Sequence, residues 1–400
     1  MIRAGLALAA ALSLLSSTAS AQIAGDKIRI GVLTDLSGFY ESGTGHGSVE
    51  AVKMAVEEFG GQIHGKPIEV IAGDHQNKPD IGASIANRWF DVDKVDVIAE
   101  LVNSAVAFAV LDIAKQKNKA ILLAGAGSAD FTGKACAPDN SVHWVYDTYE
   151  LGAAAGAAVP QLGKKWFLIS ADYAFGAALE AGVRSALEKA GAAVVGSVKH
   201  PIGSNDFSSY VLQAQASGAD VIALNNGGDD TINGLKAIRE FGLKGKVVGF
   251  GLDSPLSIRA MGLETAQGAY NVNPWVVGDD ADTKKWVDTF IQRRKVFPGS
   301  FQVGVYSAAR SYLKAVEAAN STDSKVVIAK MREMKVDDVF TRDGFLRPDG
   351  RMVHSVALTQ IKTPGESKGE WDLTKVVSKL KGEDVFRPLK DGGCPALAGK

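Results

Sequence analysis

Six histidines, at positions 46, 64, 75, 143, 200 and 354, are the side chains best able to bind a metal or move a proton. No two stand at the i, i+4 spacing that sets a pair of imidazoles on one helical face, so a zinc hydrolase site is not indicated. Asp74-His75 beside Asp80 imitates a metal pair, but a loop histidine satisfied by local hydrogen bonds is the simpler reading. The one G-x-S-x-G, Gly365-Glu366-Ser367-Lys368-Gly369, stands in a polar stretch with no helical run after it, unlike the strand-to-helix elbow of serine hydrolases. Gly43-Thr44-Gly45-His46-Gly47-Ser48 follows one apolar run and opens an amphipathic one, the place of a phosphate loop. It lacks G-K-[ST] and the third glycine of G-x-G-x-x-G, and Gly125-Ala126-Gly127-Ser128 fails the same test. The reading is therefore of a chain with no catalytic constellation, no metal and no cofactor.

What remains is a set of polar loops, each at the end of an apolar run. Val102-Asn103-Ser104-Ala105 and Gly125-Ala126-Gly127-Ser128 offer backbone N–H groups and hydroxyls that suit an anion. Ser104 and Ser128 fit equally well as a helix cap and a turn closer. Further on, Asp172-Tyr173-Ala174-Phe175-Gly176 brings two aromatics to such an end. Asn225-Asn226-Gly227-Gly228-Asp229 and Gly251-Leu252-Asp253-Ser254 follow later runs.

The elements that must position these loops alternate strand and helix. Apolar runs at 28–33, 67–72, 95–101 and 120–124 read as buried strands, and Val49, Val52, Val56 and Phe59 recur at helical spacing before Gly60-Gly61. The rhythm restarts with strands over 166–170, 193–198, 221–224 and 247–250, and helices over 174–189, 207–216 and 231–241. Such alternation calls for parallel sheets covered by helices, here two α/β units in succession. Residues 143–148 lack Gly, Pro and Ser and read as an extended crossing segment between them. From 283 the chain turns helical, then ends in extended stretches over 340–346 and 352–361 that are expected to complete the two units. A ligand belongs in the cleft between them, where strand ends and helix N-termini open.

Composition supports a globular, near-neutral chain: 400 residues, 44 Lys+Arg against 45 Asp+Glu, and a net charge of -1, which gives no electrostatic case for nucleic acid or an anionic membrane. Glycine, at 44 residues, exceeds the usual share of about 7% and implies many close backbone approaches. Arg3, the apolar stretch from Ala4 to Leu15 and the small-x-small Ala19-Ser20-Ala21 read as a signal peptide over 1–21, cleaved after Ala21. The apolar stretch is shorter than the ~20 residues that a membrane span needs. Export into an oxidising compartment makes a Cys136–Cys394 disulfide the expectation, two free thiols being the alternative.

IRIGVLTDLSG at the start, VNSAVAFAVLDIA, LLAGAGSADFTG, ADYAFGAALEAG and QVGVYSAARSYLKAV, in this order over nearly the whole mature chain, resemble the periplasmic substrate-binding proteins of branched-chain amino acid type ABC importers. The resemblance implies an α/β, type I periplasmic-binding fold: two doubly wound lobes joined by three crossing segments. The lobes would be 22–145 with 276–338 and 146–275 with 339–385, followed by a tail over 386–400. It implies a monomeric, non-enzymatic protein of the periplasm that passes a small ligand to an ABC permease in the inner membrane. Carried over by position, first-lobe ligand contacts fall on Phe39, Tyr40, Asn103, Ser104, Ala126 and Ser128, and second-lobe contacts on Tyr173, Phe175, Asn226, Gly227 and Asp253. Amino-acid-binding relatives place an acid just after the strand that here ends at Phe250, whereas this chain has Gly251, with Asp253 two residues later. An ammonium desolvated there without a partner costs several kcal/mol, so a small aromatic or apolar carboxylate is expected. A branched-chain amino acid or an amide, or presentation of a ligand to a sensor, are the alternatives.

Overall fold

The computed structural model describes residues 23–398 apart from Lys244, Asp253 and Asp279. The signal segment expected over 1–21 lies outside the described residues. Strands β1 (Ile28–Thr34), β2 (Gln62–Ile63), β3 (Lys66–Asp74), β4 (Val97–Glu100), β5 (Ala120–Leu123) and β6 (Ser141–His143) alternate with helices α1 (Gly45–Glu57), α2 (Pro79–Asp91) and α3 (Ser104–Lys117). They form one sheet in the order β2-β3-β1-β4-β5-β6, parallel except for the short β2–β3 hairpin. After helix α4 (Thr148–Leu162), the second set runs β7 (Lys165–Ala171), α5 (Ala174–Lys189), β8 (Ala193–His200), α6 (Ser208–Ala216), β9 (Val221–Asn225), α7 (Asp229–Glu240) and β10 (Lys246–Gly249). It continues with α8 (Pro255–Met261), α9 (Leu263–Ala266) and β11 (Tyr270–Asn273).

The chain then returns to the first lobe. Helices α10 (Ala281–Arg294), α11 (Ser300–Ala319) and α12 (Ser324–Glu333) follow, and α11 packs along α1. Short strands β12 (Lys335–Val336), β13 (Gly344–Leu346) and β14 (Met352–Val353) make a small antiparallel sheet. Finally β15 (Val356–Ile361) and β16 (Thr374–Leu380) join the second lobe, whose order is β16-β15-β11-β10-β9-β7-β8 with β15 antiparallel to both neighbours. Helix α13 (Gly382–Val385) packs against α4. Three passages therefore link the lobes: 144–147, 274–280 and 337–355.

The central strands are buried on both faces, as parallel sheets under helices require: β4, β5, β6 and β9 are buried along their whole length, while β8 and β16 at the edges of the second sheet are partly exposed. One apolar core runs from α1 and α11 through Trp144, Val145 and Tyr146 into α4 and α5, so the lobes share packing at the hinge. Gly304 makes that continuity possible, because a Cβ on it would collide with Val145 Cγ2. The extended stretch read over 340–346 is a strand only from Gly344, and 352–361 is two strands in different sheets, since the chain leaves the small sheet at His354.

Cys136 and Cys394 form a disulfide with their Cα atoms 5.5 Å apart, across a sequence separation of 258. Arg387 Nη2 donates to Ala129 O at 2.8 Å beside it, so the tail that leaves the second lobe is fastened to the first. Replacing both cysteines by serine should lower the melting temperature, by the equivalent of at most about 5.5 kcal/mol in the chain-entropy treatment of so long a loop. Equal melting temperatures with and without reductant would show that the bridge adds nothing.

Candidate functional site

The turn after β1 is organised by one buried carboxylate. Asp35 accepts from Gly38 N at 2.7 Å, Tyr40 N at 3.1 Å and Asn77 Nδ2 at 2.6 Å, which folds residues 35–40 into a fixed loop at the sheet's carboxyl end. Thr44 Oγ1 donates to Tyr40 O at 3.0 Å and joins that loop to the start of α1. Phe39 and Tyr40 are thereby projected toward the second lobe.

The second lobe meets them with bare backbone. A Cβ on Gly227 would stand 3.2 Å from Tyr40 Cε1, and one on Gly228 would stand 2.7 Å from Phe39 O. Gly228 also has φ +57, so both its conformation and its contact call for glycine. The loop is held from behind, where Asn226 Oδ1 accepts from Thr231 Oγ1 at 2.8 Å and its amide faces His200 Nε2 at 3.1 Å. Across the cleft the Tyr40 and Tyr173 hydroxyls hydrogen-bond to one another. Burial raises the pKa of both phenols, which keeps the pair protonated and able to share that bond at neutral pH.

Between these contacts lies a small cavity of about 40 Å³. Its first-lobe wall is Tyr40, Ser42, Gly43, Thr44, Val102 and Phe301, and Tyr146 lines it from the first passage. Its second-lobe wall is Phe175, Asn226, Gly227, Gly228, Phe250, Gly251, Ser254 and Ser257. Five of these are aromatic, and among the described residues none of the lining is Asp, Glu, Lys or Arg. Tyr146 meets Phe175 edge-on at 6.2 Å and Phe301 at 5.3 Å, so the rings join both lobes. A space this small admits a ring only when the lobes separate.

Of the residues singled out in the sequence, Tyr40, Phe175, Asn226 and Gly227 line the cavity, while Phe39 and Tyr173 close its rim. Asn103, Ser104, Ala126 and Ser128 do not line it. Asn103 Oδ1 caps α3, accepting from Ala105 N at 2.9 Å and Val106 N at 3.3 Å. Ser104 Oγ accepts from Ser128 N at 3.2 Å, Ser128 Oγ accepts from Asp130 N at 3.4 Å, and Ala126 O lies 2.7 Å from His143 Nε2. The side-chain oxygens of Asn103, Ser104 and Ser128 are thus taken up by cap and loop N–H groups. Asp253 lies outside the described residues. Sequence reasoning missed Tyr146 and Phe301, which sit in no motif; Gly43 and Thr44 stood out only as a failed phosphate loop. Among the described residues no cluster of three or more His, Cys, Asp and Glu could hold a metal ion, and no helix is long and apolar enough to cross a membrane.

Residues 27–370 match the periplasmic binding protein family. The chain belongs to that family. A periplasmic binding protein of Burkholderia mallei is 42% identical, with a TM-score of 0.89 over 92% of this chain and 99% of its own. The periplasmic ligand-binding protein of a branched-chain amino acid ABC transporter from Burkholderia xenovorans LB400 is 38% identical, with a TM-score of 0.82 over 92% and 99%. A solute-binding protein of an ABC transporter from Rhodopseudomonas palustris, solved in complex with 4-hydroxybenzoate, shares the fold at 22% identity, with a TM-score of 0.81 over 89% and 98%. The two-lobed architecture is thus the type I fold of periplasmic binding proteins, a family of solute carriers for transporters and not of enzymes.

Two features of this binding protein's site lend themselves to measurement. Gly251 packs so tightly that a Cβ would stand 2.5 Å from Thr231 Oγ1 and 2.7 Å from Gly227 Cα. Gly251→Ala should therefore destabilise by about 1–3 kcal/mol through overpacking and weaken ligand binding with it; a melting temperature within a degree of wild type would contradict this. Beneath the cavity, the fully buried Glu100 lies beside Ser48 and against Gly125, outside good hydrogen-bond geometry, and burial pushes its carboxyl up to about 8. The native state then holds a proton that the unfolded chain releases, so this group's contribution to stability falls as pH rises from the ordinary glutamate value of about 4.3 toward about 8. Melting curves of Glu100→Gln should show its stability relative to wild type rising across that window; a pH-independent difference would refute the assignment.

Proposed function

We propose that this protein is the periplasmic solute-binding component of an ABC importer, carrying a small aromatic or apolar carboxylate in the interlobe cavity and delivering it to an inner-membrane permease. One observation carries the reading: Tyr40, Tyr146, Phe175, Phe250 and Phe301 surround the cavity from both lobes and the hinge, while its polar lining is neutral. Aromatic pairs add about 0.5–1.5 kcal/mol beyond area burial, so a planar ring gains more here than a branched aliphatic chain. For the carboxylate, the hydroxyls of Ser42 and of Ser254 and Ser257 at the start of α8 are the available donors, since the Gly43 and Thr44 N–H groups already donate to Tyr40 O. Each charge-assisted bond contributes about 1.5–3 kcal/mol.

Chemistry on the ligand has no place in this reading; binding energy drives closure. Separation of the lobes breaks the Tyr40–Tyr173 bond and lifts Phe39 off Gly228, and a ligand bridging both walls restores the closed form. A branched-chain amino acid is the second reading, supported by what the Burkholderia xenovorans relative is named for; its ammonium would need Asp253.

A thermal-shift series with benzoate, 4-hydroxybenzoate, phenylacetate, leucine, isoleucine and leucinamide separates these readings, since a ligand at 100 times its Kd stabilises the native state by about 2.7 kcal/mol. Ring acids should raise the melting temperature and amino acids should not. A response to leucine alone, lost in Asp253→Asn, would sink the aromatic reading. Tyr173→Phe should weaken the best ligand several-fold by removing the rim bond.

A further inference from the structure

The first passage between the lobes is both hinge and cavity wall, because Tyr146 lies on it. Its backbone is held by a residue some two hundred positions later in the chain. Arg351 Nη1 donates to Tyr146 O at 2.8 Å and Nη2 to Trp144 O at 2.6 Å, while Nε donates to Met352 O at 2.8 Å. The carbonyl between them, Val145 O, lies 2.6 Å from His354 Nε2. Arg351 is fully buried, stands 4.4 Å over the Phe386 ring, and reaches Asp147 Oδ2 at 3.5 Å. Asp147 in turn caps α4, the first helix of the second lobe, through Tyr149 N at 3.0 Å and Glu150 N at 2.8 Å.

One buried cation thus touches backbone of the first and third passages and the cap from which the second lobe starts. Its planar fork suits two carbonyls two residues apart, which a lysine ammonium on a flexible stem does not match. The other end of the Tyr146 side chain is fixed as well, since its hydroxyl donates to Gly125 O at 2.8 Å. A ring held at backbone and hydroxyl presents one face to the cavity. The neighbouring Glu150 is buried with neither oxygen hydrogen-bonded, and burial raises its pKa, so the charge of Arg351 is balanced chiefly by Asp147.

We propose that Arg351 is a positioning residue for ligand binding: it sets the ring of Tyr146 in the cavity and fastens that ring to the start of the second lobe, so lobe rotation and ring placement move together. This rests on the interlobe cavity being the ligand site. It requires no contact between Arg351 and ligand, and it assigns specificity to a residue outside the lining.

The test is a double-mutant cycle read by titration calorimetry, with benzoate as the probe and leucine in its place if benzoate does not bind. Arg351→Lys should weaken binding about ten-fold and Arg351→Gln more, whereas in a Tyr146→Leu background each should change affinity by less than about two-fold. Equal losses in both backgrounds would overturn the proposal, because a merely structural role would not depend on Tyr146. If Arg351→Gln fails to fold, Arg351→Lys, which keeps the charge and loses the fork, completes the cycle. Binding of leucine but not benzoate would remove the ring-acid reading alone, and the leucine cycle would still decide the role of Arg351.

Discussion

The constraint on which the rest of the structure depends is that a chain crossing between two lobes through their shared core must leave no backbone carbonyl unsatisfied. Unpaired buried polar groups cost about as much as a lost hydrogen bond, and water is excluded here. Residues 144–147 meet the constraint with Arg351 and His354, one taking two carbonyls and the other taking the one between. The solution brings in the 347–354 segment, and through Arg347, which donates to Arg387 O at 2.6 Å, the C-terminal tail. The disulfide fastens that tail to the first lobe. The lobes are therefore tied by packing, hydrogen bonds and a disulfide as well as by the chain.

The cleft follows from the same economy of close contact. Phe39 and Tyr40 rest on the backbone of Gly227 and Gly228, and Gly251 packs on Gly227, so the second-lobe loops approach without side chains between them. What side chains remain are mostly rings and neutral hydroxyls. Under the floor, Glu100 is a protonated acid at neutral pH, and an anionic ligand meets no ionised carboxylate from it. Under the proposed function, a carboxylate would be held without a cation, by hydroxyl dipoles in a dry space where they count for more than in water.

Much of the fold was legible because strands and helices announce themselves locally. The helix read over 174–189 has those bounds in the structure, and the strands read from 28, 95, 120, 166, 193, 221 and 247 lie within a few residues of their expected places. Helix α4 escaped because it is apolar almost all round, with Leu151, Ala154, Ala155, Ala158 and Val159 buried and no polar stripe to give it a period. Strand β16, an exposed edge with lysines among its valines, carried too little apolar pattern. At the site, polar loops at strand ends were visible, but whether each faced ligand or its own helix was not. The Asn103 and Ser128 side chains accept from N–H groups two or three residues on, and Ser104 Oγ accepts from Ser128 N on the neighbouring loop, a pairing no local pattern announces.

By itself the sequence determined two α/β sets with a crossing between them, the second-lobe loops of the cavity, and a pair of cysteines placed for a bridge. Periodicity, glycine placement and turn chemistry act over a few residues, so they can be read along a line. Only the tertiary structure decided that Tyr146 and Phe301 share a cavity with Phe175, that Gly227 and Gly228 are bare to receive Phe39 and Tyr40, and that Arg351 holds the hinge. Those relations join residues dozens to hundreds of positions apart through contacts a few ångströms long, and no local pattern encodes them.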